Sequence, residues 1–495
     1  MQKFPANAST SVKEDESSLL DNIAQLPYRS NKVAGIIGVS TLILFLCSSL
    51  RHALFQSGAY DLGIFDQAVY LISQNQPPIS SFLEFHILGD HAALVFYPLA
   101  LLYKIYPDVH WLLAVQAVAL GLGAWLTWRI SDSLRDSSAS RTGLKQSQAL
   151  AIVAVYLLYP LVFNVNLFDF HPEVLAIPAL LGAILAARMH KISWFCLAII
   201  TVLACKAVLA LTVAAMGVWL LSEKRLYGAL ALFSGICWFI IATQGIIPFF
   251  GSEAAAVTRH LHRYDYLGNS TAEIVQNLLF KPGLLLKQVF SLDNLEYLIL
   301  LLSPVIWGLS PRYLTPMLGA IPTLAINILS NSPAQKDLVH HYSLPILPFL
   351  LVAVISSLAA NRAWLRNSRL ITLWSLVAFL ALAKYGYFGS IYLDSLDTLQ
   401  ATKQAIAQVV TKGGVLTTAE IAPHLTHRQL IKLTDANSPP ANLTQFDYVL
   451  LNVRHPGWLS NSEFATSLVN QLKSNQEFQL SYQQDDVYLF TQAKS

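Results

Sequence analysis

The chain has 495 residues, 54% of them hydrophobic and only 12% charged, with a formal net charge of +3. Soluble domains carry about 25% charged residues, so this balance excludes an ordinary water-soluble enzyme and indicates a polytopic membrane protein. So small a net charge, with no basic stripe or zinc-finger spacing, leaves no electrostatic case for a nucleic-acid partner.

Residues 1–32 are polar and include Lys13, Glu14, Asp15 and Glu16, so they are expected to form a disordered cytoplasmic tail. A cleavable signal peptide would carry its apolar core nearer the start. A spanning helix needs about 20 mainly apolar residues, which predicts about eleven spans over 33–390. Their limits are 33–55, 110–130, 147–167, 174–189, 192–206, 207–222, 226–250, 294–310, 313–330, 344–360 and 370–389. The first is followed by a large loop, 56–109, in which "HAALVFYPLALLYKIYP" (91–107) carries two prolines and a lysine and reads as a helix lying at the membrane surface. Cys47, Cys196, Cys205 and Cys237 fall inside apolar segments and read as packing residues.

With the N-terminus inside, the cytoplasmic loops hold the larger set of Lys and Arg, including Arg129, Arg135, Lys145, Arg188, Lys224, Arg225, Arg362 and Arg369, as the positive-inside rule requires. That orientation places residues 391–495 outside. Their helical stretches and short β-rich runs ("GVLTT", "FDYVLLNV", "DVYLFTQ") predict a small external α/β domain. The fold class is therefore an all-α polytopic plasma-membrane protein with a small α/β C-terminal domain.

In that topology the unusual ionisable residues gather on the external side. Asp61, Asp66, Asp90 and His91 follow the first span; Asp169, His171 and Glu173 follow the third; Arg259, His260 and Arg263 follow the seventh; His340 and His341 follow the ninth. Charges at a membrane boundary are costly unless paired, hydrated or holding a ligand. Asp61 either caps the helix beginning near Leu62 or faces a site. Asp169, His171 and Glu173 either start a helix at the interface or hold a divalent cation, Mg or Mn. Arg259, His260 and Arg263 suit a phosphate or, equally, anionic lipid headgroups. Lys206, between two short spans, reads by default as a lysine snorkelling to the surface.

Five motifs, "YDLGIFDQAVY", "GDHAALVFYPLALLY", "DFHPEVLAIP", "HHYSLPILPF" and "IAPHLTHRQL…FDYVLLNV", resemble the DUF2079 family of predicted prokaryotic membrane proteins. That family often has an acidic pair after the lysine matching Lys206, where this chain has Ala207 and Val208. More distantly the architecture resembles the GT-C membrane glycosyltransferases. The resemblance implies a catalytic carboxylate at Asp61 and acidic partners at Asp169 and Glu173; Asp66, five residues on and on a somewhat different helix face, is the second catalytic candidate, read as orienting groups. It also implies an inverting transfer of sugar from a polyprenyl-phosphate donor at the external face. A transporter or a non-catalytic scaffold are the competing classes; a transporter would place ionisable residues near the middle of its spans.

Overall fold

A computed structural model describes residues 29–135, 143–251 and 257–493, so nearly all of the expected N-terminal tail lies outside the described residues. Among the described residues, five helical segments are long and apolar enough to cross a bilayer: Asn31–Ala53, His110–Ser133, Gln146–Leu167, Arg225–Phe250 and Pro333–Ala359. A sixth forms if Ser368–Leu382 and Lys384–Leu393, bent by 45°, count as one span.

The described residues open with α1 (Arg29–Ala53), followed by a π-helical turn at Ala59–Gly63 and by α2 (Ile64–Ser73) and α3 (Phe96–Ile105). At a rise of about 1.5 Å per residue, α3 covers only half of a bilayer's hydrocarbon core, as expected of a surface helix. Next come α4 (His110–Ser133), α5 (Gln146–Leu157) and α6 (Pro160–Leu167), the last two broken apart at Pro160. At the short spans expected at 174–189, 192–206 and 207–222 stand the helices α7 (Glu173–Arg188), α8 (Ile192–Cys205) and α9 (Leu209–Glu223), each shorter than the segments long enough to cross. α10 (Arg225–Ile240) returns against α9 so closely that a Cβ at Gly217 would lie 2.4 Å from the Leu232 nitrogen, and one at Gly228 2.3 Å from that of Leu221. Small residues are what let two membrane helices pack at backbone contact.

The expected spans 294–310 and 313–330 are not continuous helices. A helix at Leu292–Leu302 gives way to 3₁₀ turns before α11 (Ile321–Leu329). Pro304 follows the end of the first helix, and Pro311, Pro316 and Pro322 stand in the first turns of the short helices after it, where a missing backbone donor is tolerated but a helix arriving from before could not continue. α12 (Leu347–Ala359) and α13 (Ser368–Leu382) complete the helical part, whose core extends through α1, α4 to α9 and α12.

The C-terminal part is α14 (Leu399–Ala407), β1 (Val415–Thr417), β2 (Ile431–Leu433), β3 (Tyr448–Asn452), α15 (Ser462–Ser474), β4 (Phe478–Gln484) and β5 (Val487–Gln492). The sheet order is β2-β1-β3-β5-β4, with β1 parallel to both neighbours and β5 antiparallel to both of its own. Strand alternation gives the sheet two apolar faces. Leu416, Val449, Leu451 and Phe490 pack on Leu468, Val469 and Leu472 of α15. Val415, Leu450, Val487 and Leu489 pack with Ala401 and Ala405 of α14, and with Phe55 and Ala59 from the end of the first span. The sheet domain is thus seated on the helical part by its own core.

Polar contacts fix that seat. Asp66 on α2, 1% exposed, accepts hydrogen bonds from Tyr103 of α3 (2.5 Å) and from Thr426 of the sheet domain, and His427 Nε2 lies 3.2 Å from its second oxygen. Burial alone would raise the Asp66 carboxyl, but the His427 charge and these hydrogen bonds hold it below its usual value. Gln67 Nε2 donates to the Arg428 carbonyl (3.1 Å), and Ser81 to that of Gln429 (2.8 Å). Asp66→Ala strands two buried hydroxyls, of Tyr103 and Thr426, and the half-buried His427, and is expected to cost about 3 kcal/mol. Breaking the exposed Glu84–Lys432 pair, as in Glu84→Ala, should cost under about 1 kcal/mol. Equal thermal shifts for the two variants in detergent would remove Asp66 from its anchoring role.

Candidate active site

The site is assembled where α1 ends, α7 begins and the α8–α9 connection passes. Polar side chains inside the helical core hold its backbone in place. Asn166 donates to the Leu44 carbonyl of α1 (2.7 Å), Gln116 of α4 donates to the Asn166 carbonyl (3.1 Å), and the His171 amide donates to Gln116 Oε1 (3.3 Å). These bonds satisfy the turn between α6 and α7, where a buried chain without partners would be costly. Within it Asp169 adopts φ +85°, a left-handed conformation that Asp tolerates better than most residues. Its buried carboxylate meets the Arg51 guanidinium on one oxygen and the Gly58 amide on the other (2.8 Å).

Asp61 lies in the π-helical turn beside this pair. A Cβ built at Gly58 would sit 3.5 Å from Asp61 Oδ2 and 3.6 Å from Asp169 Oδ2, so the two carboxylates flank the same glycine. Asp61 Oδ1 is 3.1 Å from His171 Nε2. The imidazole is 4% exposed and the aspartate side chain 31%, so the pair couples a buried base to an accessible carboxylate. Asp61 Oδ2 has no hydrogen-bond partner among the described residues and remains available to a ligand.

Behind His171, His341 stacks at 3.9 Å between ring centroids and Phe168 at 5.5 Å. His341 lies 3.4 Å from Glu173 Oε1, which accepts from Lys206 Nζ at 2.6 Å. Burial favours the neutral amine, yet the charge and hydrogen bond of Glu173 raise the Lys206 ammonium above the ordinary lysine value. The lysine expected to snorkel therefore turns inward to a carboxylate. The Ala207 amide donates to the His91 carbonyl (2.9 Å), and the Val95 amide to that of Ala204 (3.0 Å), which brings Asp90 and His91 beside the same break. Their side chains lie 3.2 Å apart.

His340 faces Phe168 and pairs with Asp337 (2.7 Å). Tyr342 stacks on His341, and the Arg263 guanidinium lies 5.5 Å from its ring. The side chains of Arg259 and His260 lie outside those described. Asp66, five residues beyond Asp61, is enclosed at the sheet-domain junction and contributes nothing exposed to the cluster.

Asp169, His171 and Glu173 do not form a ligand set for Mg or Mn. Each is engaged by a different partner, Arg51, Asp61 and Lys206, and no group of three His, Cys, Asp or Glu side chains among the described residues is placed to hold a metal ion. Sequence reasoning missed Arg51, hidden at the end of an apolar span, and its signal was its type: an arginine inside a membrane helix needs a partner.

The sequence profile of the family described as "Predicted membrane protein (DUF2079)" matches residues 51–489. The chain belongs to this family. No curated protein matches it. Among solved structures, the fold is similar to ArnT from Cupriavidus metallidurans bound to undecaprenyl phosphate, with a TM-score of 0.54, 12% identity, and coverage of 94% of this chain and 99% of that one. The apo state of the same protein gives 0.53, 10%, 93% and 98%. The likeness is one of fold, and it gives this DUF2079 member the GT-C architecture expected from its sequence.

The two buried pairs make separable predictions. Lys206→Met leaves Glu173 as an uncompensated buried charge and should destabilise by about 3–5 kcal/mol, whereas adding Glu173→Gln should restore much of the loss. A double variant no more stable than Lys206→Met would disprove the coupling. For His171, burial lowers the value, but the hydrogen bond and charge of Asp61 and the charge of Glu173 raise it overall above 6.5. A raised histidine stabilises fully below its unfolded value, about 6.5, and the gain fades as pH climbs through the elevated native value. Thermal midpoints of the wild type should therefore fall above that pH more steeply than those of His171→Asn. Parallel profiles would show that the imidazolium pair contributes nothing.

Proposed function

We propose that this protein is an inverting, GT-C-type membrane glycosyltransferase. It takes a sugar from a polyprenyl-phosphate-type lipid donor and transfers it to an acceptor at the external face of the plasma membrane, with the N-terminus cytoplasmic and the sheet domain outside. The observation that carries the reading is Asp61: an accessible carboxylate with one oxygen fixed by a buried histidine and the other open, beside a second, arginine-bound aspartate. The fold likeness to ArnT, solved with undecaprenyl phosphate, supports a lipid-phosphate donor.

In this mechanism Asp61 Oδ2 accepts the proton of an acceptor hydroxyl as that oxygen attacks the anomeric carbon from the face opposite the lipid phosphate. The sugar–phosphate bond breaks, and the phosphate leaves with the electron pair. Preorganised cations stabilise such a leaving group. Arg263, with Arg259 and His260 beside it in sequence, supplies the cationic group that serves it. Asp90, His91, His340 and His341 shape the binding surface. His171 keeps Asp61 oriented, and no step runs through a metal. Ionisable residues collected at one membrane face favour this reading over transport, which needs them at mid-span.

Asp61→Asn should still fold, with a thermal midpoint lowered only by the loss of the His171 charge pair, and should lose transfer by about 10²–10⁴-fold, the usual contribution of a general base. The assay is sugar loss from labelled polyprenyl-phosphate sugars in lipid with a cell-envelope extract. Undiminished transfer by that variant would rule out Asp61 as the base.

A further inference from the structure

A second polar cavity, of about 300 Å³, lies between the sheet domain and the end of the first span. Thr418 and Asn452 on its wall stand at the C-terminal ends of β1 and β3. In the order β2-β1-β3 the chain leaves β1 towards one edge of the sheet and returns on its other side at β3, so the crevice between these two strand ends is a topological switch point. Open α/β sheets bind ligands there.

The wall is lined with groups that recognise hydroxyls. Thr418 is 1% exposed and its hydroxyl has no hydrogen-bond partner; Glu420 Oε2 is likewise buried and unpartnered. Buried polar atoms are ordinarily satisfied. Gly457, at φ +86°, carries the neighbouring loop past that carboxylate, and a Cβ there would lie 2.6 Å from Glu420 Oε2. The positive charge at the cavity, Arg454, is committed to Asp397 (2.8 Å) and Asp486 (2.7 Å), and His455 to Asp397 (2.8 Å). With Asp394 and Glu420 also on the wall, an anion is disfavoured and a neutral or amino-bearing ligand preferred. At the rim, exposed Trp458 lies 5.6 Å from Tyr60, the residue before Asp61. Such rings offer a broad rigid surface to the apolar face of a sugar.

We infer that this cavity is a binding site for a neutral or amino-bearing saccharide, the acceptor of the transferase proposed above. The inference rests on that reading for the word acceptor, whereas the saccharide site stands on its own geometry. The cavity is of a size for one or two sugar units, at the small end of ligand sites.

The test applies full-length protein in lipid nanodiscs to an array of neutral, amino-bearing, sulfated and phosphorylated oligosaccharides. The wild type should retain a neutral or amino-bearing glycan, and Thr418→Val and Glu420→Gln should each bind it about tenfold or more weakly. No retained glycan, a preference for the anionic ones, or equal binding by both variants would overturn the site. Donor consumption with glycan binding insensitive to both variants would sink the site and leave the transferase standing. Cavity-dependent binding with no donor consumed would do the reverse.

Discussion

A charge taken out of water must find a partner, and here most partners come from distant parts of the chain. Arg51 at the end of α1 meets Asp169 before α7; Asp61 meets His171; Lys206, between α8 and α9, meets Glu173; Asp66 meets Thr426 and His427 of the sheet domain. A buried pair gains little net stability over an apolar substitute, but leaving either partner alone is strongly unfavourable. Such pairs therefore select among packings: an arrangement that shifts α7 against α1 or α8 leaves ionised groups uncompensated in a poorly solvating environment. The apolar core, continuous through most of the helices, supplies the cohesion. The ion pairs decide which cohesive arrangement survives.

The same selection leaves one carboxylate accessible. Asp169 is buried against Arg51 and the Gly58 amide, Glu173 is buried with one oxygen on Lys206 and the other enclosed without a partner, and Asp66 is enclosed by three donors; of the four, Asp61 is the one with an accessible free oxygen while its other is held by a histidine. A base must be positioned, and it must be free on the side that meets its proton. Asp169 and Glu173 accept from Arg51 and Lys206, and the accessible Asp61 keeps an oxygen open to a ligand. The stacked rings of His171 and His341, backed by Phe168 and Tyr342, make the rear wall that keeps the imidazole from rotating away.

Much of this was legible in the sequence, and the misses have physical causes. Asp61, Asp169, His171, Glu173 and His341 stood out because each follows an apolar run, and the structure brings all five together. Which residue pairs with which was hidden, because contacts across more than a hundred residues leave no periodic trace. Arg51 was passed over because its helix reads as a span to its end, and Lys206 because surface snorkelling is the commoner fate of a lysine between short helices. Asp66 read as a companion of Asp61; the π-helical turn at 59–63 and a partner 360 residues on send it elsewhere. Apolar length overcounted long helices between 294 and 330, where prolines break the helix without making the segment less apolar.

The junction of the two domains follows from these same elements. The end of α1 carries Arg51 into the ion-pair cluster, and two residues past that helix Phe55 enters the core of the sheet domain. Asp61 and Asp66 stand on consecutive helical segments, one turned to the cluster and the other to Thr426. The sheet domain is therefore held by the same stretch of chain that carries the open carboxylate, and its switch-point crevice opens beside Gln56, two residues before the glycine that bonds Asp169. Movement of the sheet domain would be transmitted through residues 55–66 to the carboxylate itself. That linkage ties the sheet domain, which has a core of its own, to the stretch of chain that carries the open carboxylate.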